Sequence, residues 1–152
     1  MLANGIHVEI GPWWHPANLV AGAWFNENTV YLPHDTDPYA LTQPQNFGTL
    51  ALIIHEALHI EQGFALSHSW EGERLAWQVG LRVLMKLKGI TIDQAQPTTV
   101  DILDATDPMT FAAAIAADNP DYLGRMTALY PEYPGGVCRS LLFCFYISLN
   151  SK

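Results

Sequence analysis

The stretch from Asn46 to Gln62 constrains the fold most, because it is apolar nearly all the way around a helix. A helix with that pattern is buried on most sides instead of lying on a surface. The sequence Thr42-Gln-Pro-Gln45 has the form of a capping box and predicts where the helix begins. Gly63 follows the apolar stretch and is predicted to end it. We therefore expect a buried helix at the centre of the fold.

A second helix is predicted to begin after Ser69 and to end at Gly89. Acidic residues lie in its first turn and lysines in its last, an arrangement that suits the helix dipole. Only residues 63–68 separate it from the first helix. A connection this short favours two neighbouring helices that run in opposite directions. The sequence thus predicts an antiparallel helical hairpin.

The N-terminal region, residues 1–45, is predicted to be rich in strands. Two short stretches, His7–Ile10 and Thr29–Leu32, alternate in polarity and are separated by glycine, proline and asparagine turns. They predict two or three strands of a small antiparallel sheet. With this sheet packed on the helical hairpin, the fold class is expected to be α+β.

The helical region is expected to extend over residues 46–134, with short helices after the hairpin. One is predicted around Met109–Ala117, and another is opened by Asn119 and closed before Pro131. The final segment, residues 135–152, is apolar and nearly uncharged. It is expected to form either an edge strand of the sheet or a poorly integrated tail.

Length and charge narrow the class of protein. A chain of 152 residues that is 49% apolar fits one domain spanning residues 1–152. Its formal net charge of −8 argues against nucleic acid as a partner. Only two cysteines, Cys138 and Cys144, are present, so no disulfide framework is expected. Without a signal-peptide pattern or a membrane-length apolar run, we expect a soluble, cytoplasmic protein with no membrane partner.

The first helix carries the sequence His55-Glu-Ala-Leu-His59. Two histidines four residues apart lie on one face of a helix, so their ring nitrogens can converge on one metal ion. Glu56 falls beside this pair, where a carboxylate can accept a proton from a metal-activated water. The alternative interpretation is that His55, His59 and Glu56 are hydrogen-bonded core residues that bind no metal. Burying three ionisable groups in an apolar helix costs free energy unless their charges are compensated. A bound metal dication would compensate them.

Two histidines leave a zinc site short of a ligand, and Glu73, His68 and Glu71 are candidates for the third. At about 100° per residue, Glu73 falls inside the apolar stripe of the second helix and is expected to point into the core. Glu71 falls on the opposite face with Arg74 and Gln78 and is expected to face water. Helical phase therefore favours Glu73 and leaves the other two candidates open. The stripe consists of Ala76, Trp77, Gly80, Val83, Leu84 and Leu87.

The two segments His55-Glu-Ala-Leu-His59 and Glu73-Arg-Leu-Ala-Trp77 together resemble the zincin metallopeptidases, and among them the gluzincin type. The resemblance covers the region from Thr29 to Lys88. It implies a peptidase of minimal zincin-like size with zinc on His55, His59 and Glu73. It also implies that Glu56 activates water, and that the strand Thr29–Leu32 lines the cleft for a peptide or protein substrate.

The sequence indicates other active-site residues less strongly. A working peptidase needs a group that stabilises the oxyanion, and Tyr122, Tyr130 and Tyr133 are candidates that the sequence does not rank. His34 follows the predicted cleft strand and is a further candidate for the active site.

The competing hypothesis is a non-catalytic metal-binding domain that serves partner binding or sensing. The sequence predicts no oligomeric state.

Overall fold

The computed structural model describes residues 5–12, 22–24 and 28–129, and in them a small sheet precedes a helical region. The α-helices of these residues are α1 (Phe47–Ser67), α2 (Trp70–Lys88), α3 (Pro97–Asp104), α4 (Pro108–Asp118) and α5 (Pro120–Leu129). The expected helices after the hairpin are confirmed as α4 and α5, whereas α3 was not predicted. None of the described helices is both long and apolar enough to cross a membrane.

The sheet has the strand order β1-β3-β2, with β1 at His7–Ile10, β2 at Gly22–Trp24 and β3 at Thr29–Leu32. Strand β1 runs parallel to β3, and β2 runs antiparallel to β3. The prediction of an antiparallel sheet is therefore wrong for the two strands that the sequence identified. Alternating polarity shows which residues of a strand share a face, but it does not encode the direction of the neighbouring strand.

The first helix begins and ends close to the predicted positions. A 3₁₀ turn at Pro44–Asn46 leads into α1, and no side chain caps this start, so the predicted capping box does not form. Gly63 has φ 71° and ψ 170°, a conformation that interrupts the helix and favours glycine. The regular part of α1 thus ends at Gln62 as predicted, and one further turn leads to His68.

Helices α1 and α2 form the expected antiparallel hairpin. The side chain of Ser69 accepts a hydrogen bond from the backbone N–H of Gly72 and caps α2. Gly72 lies against the end of α1, whereas Gly80, later in α2, lies near Ala51, early in α1. A Cβ atom on Gly80 would be 3.2 Å from the carbonyl oxygen of Ala51. The hairpin is therefore closely packed along its length.

Arg74 and Gln78, on the polar face of α2, contact the end of α3. The Nε2 atom of Gln78 donates to the carbonyl oxygens of Ile102, Leu103 and Ala105 at 3.0, 3.2 and 2.8 Å. Arg74 donates to the carbonyl of Ala105 at 2.9 Å. The last carbonyls of α3 need donors, and Arg74 and Gln78 on the polar face of α2 supply them.

Two apolar clusters hold these elements together. One joins β3 to α1, and the other joins the start of α2 to α3, α4 and α5. The buried members of the first are Val30, Leu32, Ile53 and Ala57. The second includes Trp70, Ile102, Phe111, Ile115 and Met126. The segment 135–152 and both cysteines lie outside the described residues.

Candidate metal centre

Helix α1 presents two histidines to α2. His55 and His59 are four residues apart, and only 7% and 6% of their surfaces are exposed. Their Nε2 atoms lie 3.1 Å apart, and their rings are nearly perpendicular. The helical spacing thus brings the two ring nitrogens to one point, as the sequence predicted.

Helix α2 places a carboxylate opposite this pair. Glu73 is 5% exposed. Its Oε2 atom lies 3.4 Å from Nε2 of His55, and its Oε1 atom lies 3.3 Å from Nε2 of His59. The inward direction predicted from the helical phase of Glu73 is confirmed. Among the described residues, these three side chains form a buried group that could hold a metal ion.

The other two candidate ligands lie outside this group. Glu71 forms an ion pair with Arg74, and its side chain is 39% exposed. Nδ1 of His68 donates to the carbonyl oxygen of Phe64 at 2.8 Å, and the two rings stack 4.2 Å apart. Burial lowers the pKa of His68.

Gln62 fixes the orientation of His59. Its Oε1 atom lies 3.1 Å from Nδ1 of His59, while its Nε2 atom donates to the carbonyl oxygen of Gly72 at 3.0 Å. Because the amide nitrogen is used as a donor to α2, the amide oxygen is the atom that accepts from Nδ1. In the neutral imidazole, this leaves the lone pair of Nε2 free to accept from Nε2 of His55, 3.1 Å away, or to bind a metal ion. When His59 is protonated, Nε2 donates to Glu73.

Tyr122 on α5 reaches the same carboxylate. Its hydroxyl donates to Oε2 of Glu73 at 3.1 Å, and Nε1 of Trp77 donates to that hydroxyl at 2.9 Å. The sequence did not rank Tyr122 above Tyr130 and Tyr133, both of which lie outside the described residues. It indicated Trp77 only as a member of the apolar stripe. A helical repeat indicates the direction of Trp77, but not its partner on α5.

The charges of the group are coupled. Burial by itself raises the pKa of Glu73, but hydrogen bonds from His55 and His59 outweigh it and lower the pKa to about 2. Burial lowers the pKa of His59, yet the hydrogen bond and charge of Glu73 and the charge of Glu56 raise it overall. Glu73 is therefore an ionised acceptor at neutral pH, even though it is buried.

The spacing of the group fits zinc. Four ligands at 2.0–2.1 Å in tetrahedral geometry are about 3.3–3.4 Å from one another. The Nε2 atoms of the two histidines are 3.1 Å apart, and each faces a different oxygen of Glu73, His59 at 3.3 Å from Oε1 and His55 at 3.4 Å from Oε2. Two imidazole nitrogens and one carboxylate also match the donors that catalytic zinc ions use, with a fourth position for water.

The other predicted site residues in the described part of the chain are not members of this group. Glu56 follows His55 on α1, is partly buried, and lies close enough for its charge to raise the pKa of His59. Strand β3 packs on α1 through Val30 and Leu32. His34, after β3, is exposed and is not part of the group of possible metal ligands.

An apolar groove lies between α1 and α2 beside His55. It has a volume of about 260 Å³. Larger apolar side chains of the two helices form most of its walls. The groove is lined by Gly48, Ala51, Leu52, His55, Trp77, Gly80, Leu81 and Leu84.

Comparison of the chain with protein-family models, curated proteins and solved structures found no match. The resemblance to gluzincins therefore stays a prediction that rests on the residues quoted for it. What supports a function is the arrangement of the buried group on α1 and α2.

Proposed function

We propose that the protein is a zinc-dependent hydrolase that cleaves peptide bonds with an activated water. The observation that carries this proposal is the buried group of His55, His59 and Glu73, whose polar atoms lie 3.1–3.4 Å apart. That spacing and that set of donors suit a tetrahedral zinc with three protein ligands. Structural zinc sites are instead closed by four protein ligands.

The three ligands would be held by their neighbours before the ion binds. Gln62 orients His59, and Tyr122 contacts Glu73. Bound zinc supplies a water of lowered pKa and polarises the carbonyl of the scissile bond. The group is negatively charged through Glu73, which favours a dication at this point of an otherwise apolar interface.

Glu56 is the proposed general base. It would accept a proton at its carboxylate from the attacking water and pass that proton to the departing amine. Its place beside His55, one residue along the helix, keeps it near the group without making it a ligand. Strand β3, packed along α1, is proposed to line the cleft in which an extended peptide would bind.

The test compares Glu56→Gln with Glu61→Gln. Both glutamates belong to α1, but Glu61 is exposed. We expect Glu56→Gln to fold and to retain about one zinc per chain while losing roughly 100-fold or more in peptide hydrolysis, the scale of general-base catalysis. Glu61→Gln should retain both zinc and activity. Bound zinc and the cleavage rate of a peptide library are measured on the same preparations.

Two outcomes would contradict the proposal. If Glu56→Gln cleaves peptides as fast as the unaltered protein, Glu56 is not the base. If the unaltered protein holds zinc but cleaves no peptide in the library, a non-catalytic metal-binding domain becomes the better hypothesis.

A further inference from the structure

Tyr122 and Trp77 form a chain of hydrogen bonds that ends on Glu73. The indole N–H of Trp77 donates to the Tyr122 hydroxyl at 2.9 Å, and the hydroxyl lies 3.1 Å from Oε2 of Glu73. An indole nitrogen is a donor only, so the hydroxyl oxygen accepts from Trp77. A carboxylate is an acceptor only, so the hydroxyl hydrogen is directed at Oε2.

We propose that Tyr122 is a positioning residue that holds Glu73 as a single-oxygen metal ligand. Oε1 faces His59 at 3.3 Å and would bind the ion, whereas Oε2 faces His55 at 3.4 Å but also accepts from Tyr122 and would stay on the tyrosine hydroxyl. This inference rests on the metal centre proposed above. A hydrogen bond to a carboxylate is charge-assisted and is stronger than one between neutral groups.

The consequence is a fixed coordination number. If both oxygens of Glu73 bound the ion, the second oxygen would fill a coordination position in addition to the three that the protein ligands fill. With Oε2 held by Tyr122, His55, His59 and Oε1 of Glu73 would supply the three protein ligands, and a fourth position would be left for water. Partners that orient a ligand in this way typically change metal affinity by about 10–100-fold when they are removed.

The packing of Tyr122 can be separated from its hydroxyl. Its ring stands edge-on to Trp77 with centroids 5.3 Å apart, and the guanidinium of Arg125 lies 5.7 Å from its ring centroid. A phenylalanine at position 122 keeps an aromatic ring for both contacts. Tyr122→Phe therefore removes the hydrogen bond to Glu73 and the one accepted from Trp77, and it leaves the packing of the ring nearly unchanged.

The experiment uses metal-free protein loaded with zinc or with cobalt(II). Zinc affinity is measured by competition with a chelator. Cobalt(II) reports coordination number, because four-coordinate cobalt absorbs visible light much more strongly than five- or six-coordinate cobalt. We expect Tyr122→Phe to bind zinc about 10–100-fold more weakly and to lose part of the cobalt absorption. Tyr39→Phe is the matched control, since Tyr39 is 90% exposed, and it should behave like the unaltered protein.

The outcomes distinguish this inference from the proposed function. If the unaltered protein binds neither metal, the metal centre and this inference both fail. If it binds zinc and Tyr122→Phe shows the same affinity and the same cobalt spectrum, only the role of Tyr122 is overturned. Should Tyr122→Phe not fold, Trp77→Phe carries the same spectral test, because it removes the donor that fixes the hydroxyl. An unchanged cobalt spectrum in that variant would likewise overturn the inference.

Discussion

Gly72, in the first turn of α2, lies directly against the carbonyl oxygen of Leu66 at the end of α1, with no room for a Cβ atom. The backbone of Gly72 is held on both sides. Its N–H donates to Ser69, and its carbonyl accepts from Gln62. Because Glu73 is the next residue, this contact sets the height at which the carboxylate meets the histidines of α1.

Replacing Gly72 with alanine should separate the two helices and displace Glu73. The new Cβ would overlap a backbone atom that has no rotamer to change, so we expect a loss of about 3 kcal/mol in the free energy of unfolding. Zinc affinity should fall as well. Gly48→Ala is the control, because Gly48 also lies in a first helical turn but has open space at its Cβ position. That variant should be unchanged or more stable by up to about 1 kcal/mol. Equal effects in urea unfolding of the two variants would contradict the role of this contact.

The identity of the third ligand is tested by two glutamine substitutions two residues apart. Glu73→Gln removes the charge from the buried group and should weaken zinc binding by more than the roughly 10–100-fold expected for an outer partner. Glu71→Gln loses only a partly exposed ion pair with Arg74 and should bind zinc normally. The measurement is a competition titration with a zinc chelator. Comparable losses in the two variants would show that Glu73 is not the ligand.

The metal-free protein should show a distinctive dependence of stability on pH. The pKa of Glu73 is lowered from 4.5 to about 2, so its contribution is present above pH 4.5 and is lost as the pH falls towards 2. The pKa of His59 is raised above 6.5, so its contribution is present below pH 6.5 and is lost as the pH rises through the raised value. The coupling between Glu73 and His59 therefore stabilises the fold most between pH 4.5 and pH 6.5.

Thermal unfolding of the metal-free protein across this range checks the expectation. Glu73→Gln removes the charged partner of His59. It should therefore reduce the loss of stability both at acidic and at alkaline pH. Zinc should reverse the alkaline limb, because it binds neutral histidine and its affinity rises as the proton leaves. A Glu73→Gln profile with the same limbs as the unaltered protein would show that other groups cause the dependence.

The local sequence pattern was enough to predict the helical hairpin and the inward direction of the Glu73 side chain. The apolar stretch before Gly63, the short connection, and the phase of Glu73 on α2 all depend on residues within a few turns of one another. The parallel pairing of β1 with β3 could not be predicted in this way, because it depends on the path of the chain between them. Tyr122 could not be ranked either, since its contact with Glu73 joins residues 49 positions apart.

The hydrogen bonds that Gln78 donates to the end of α3 should contribute to the stability of the protein. Its Nε2 atom donates to three backbone carbonyls, and Gln78 is 6% exposed. Gln78→Met keeps the length of the side chain but leaves these carbonyls without that donor, which should cost about 1–3 kcal/mol. Gln78→Glu should also destabilise the protein at neutral pH, because it places a carboxylate oxygen against the carbonyl oxygens of Ile102, Leu103 and Ala105, while its other oxygen keeps the hydrogen bond from Arg74.

The exposed residue Gln45 provides the control, since Gln45→Glu makes the same substitution at a position where water can solvate the charge. We expect a change within about 0.5 kcal/mol there. Lowering the pH protonates the new carboxyl at position 78 and turns it into a donor, so the Gln78→Glu variant should regain part of its stability in acid. Urea unfolding at neutral and acidic pH measures both effects. If Gln78→Glu is as stable as Gln45→Glu at neutral pH, the link between α2 and α3 does not depend on this amide.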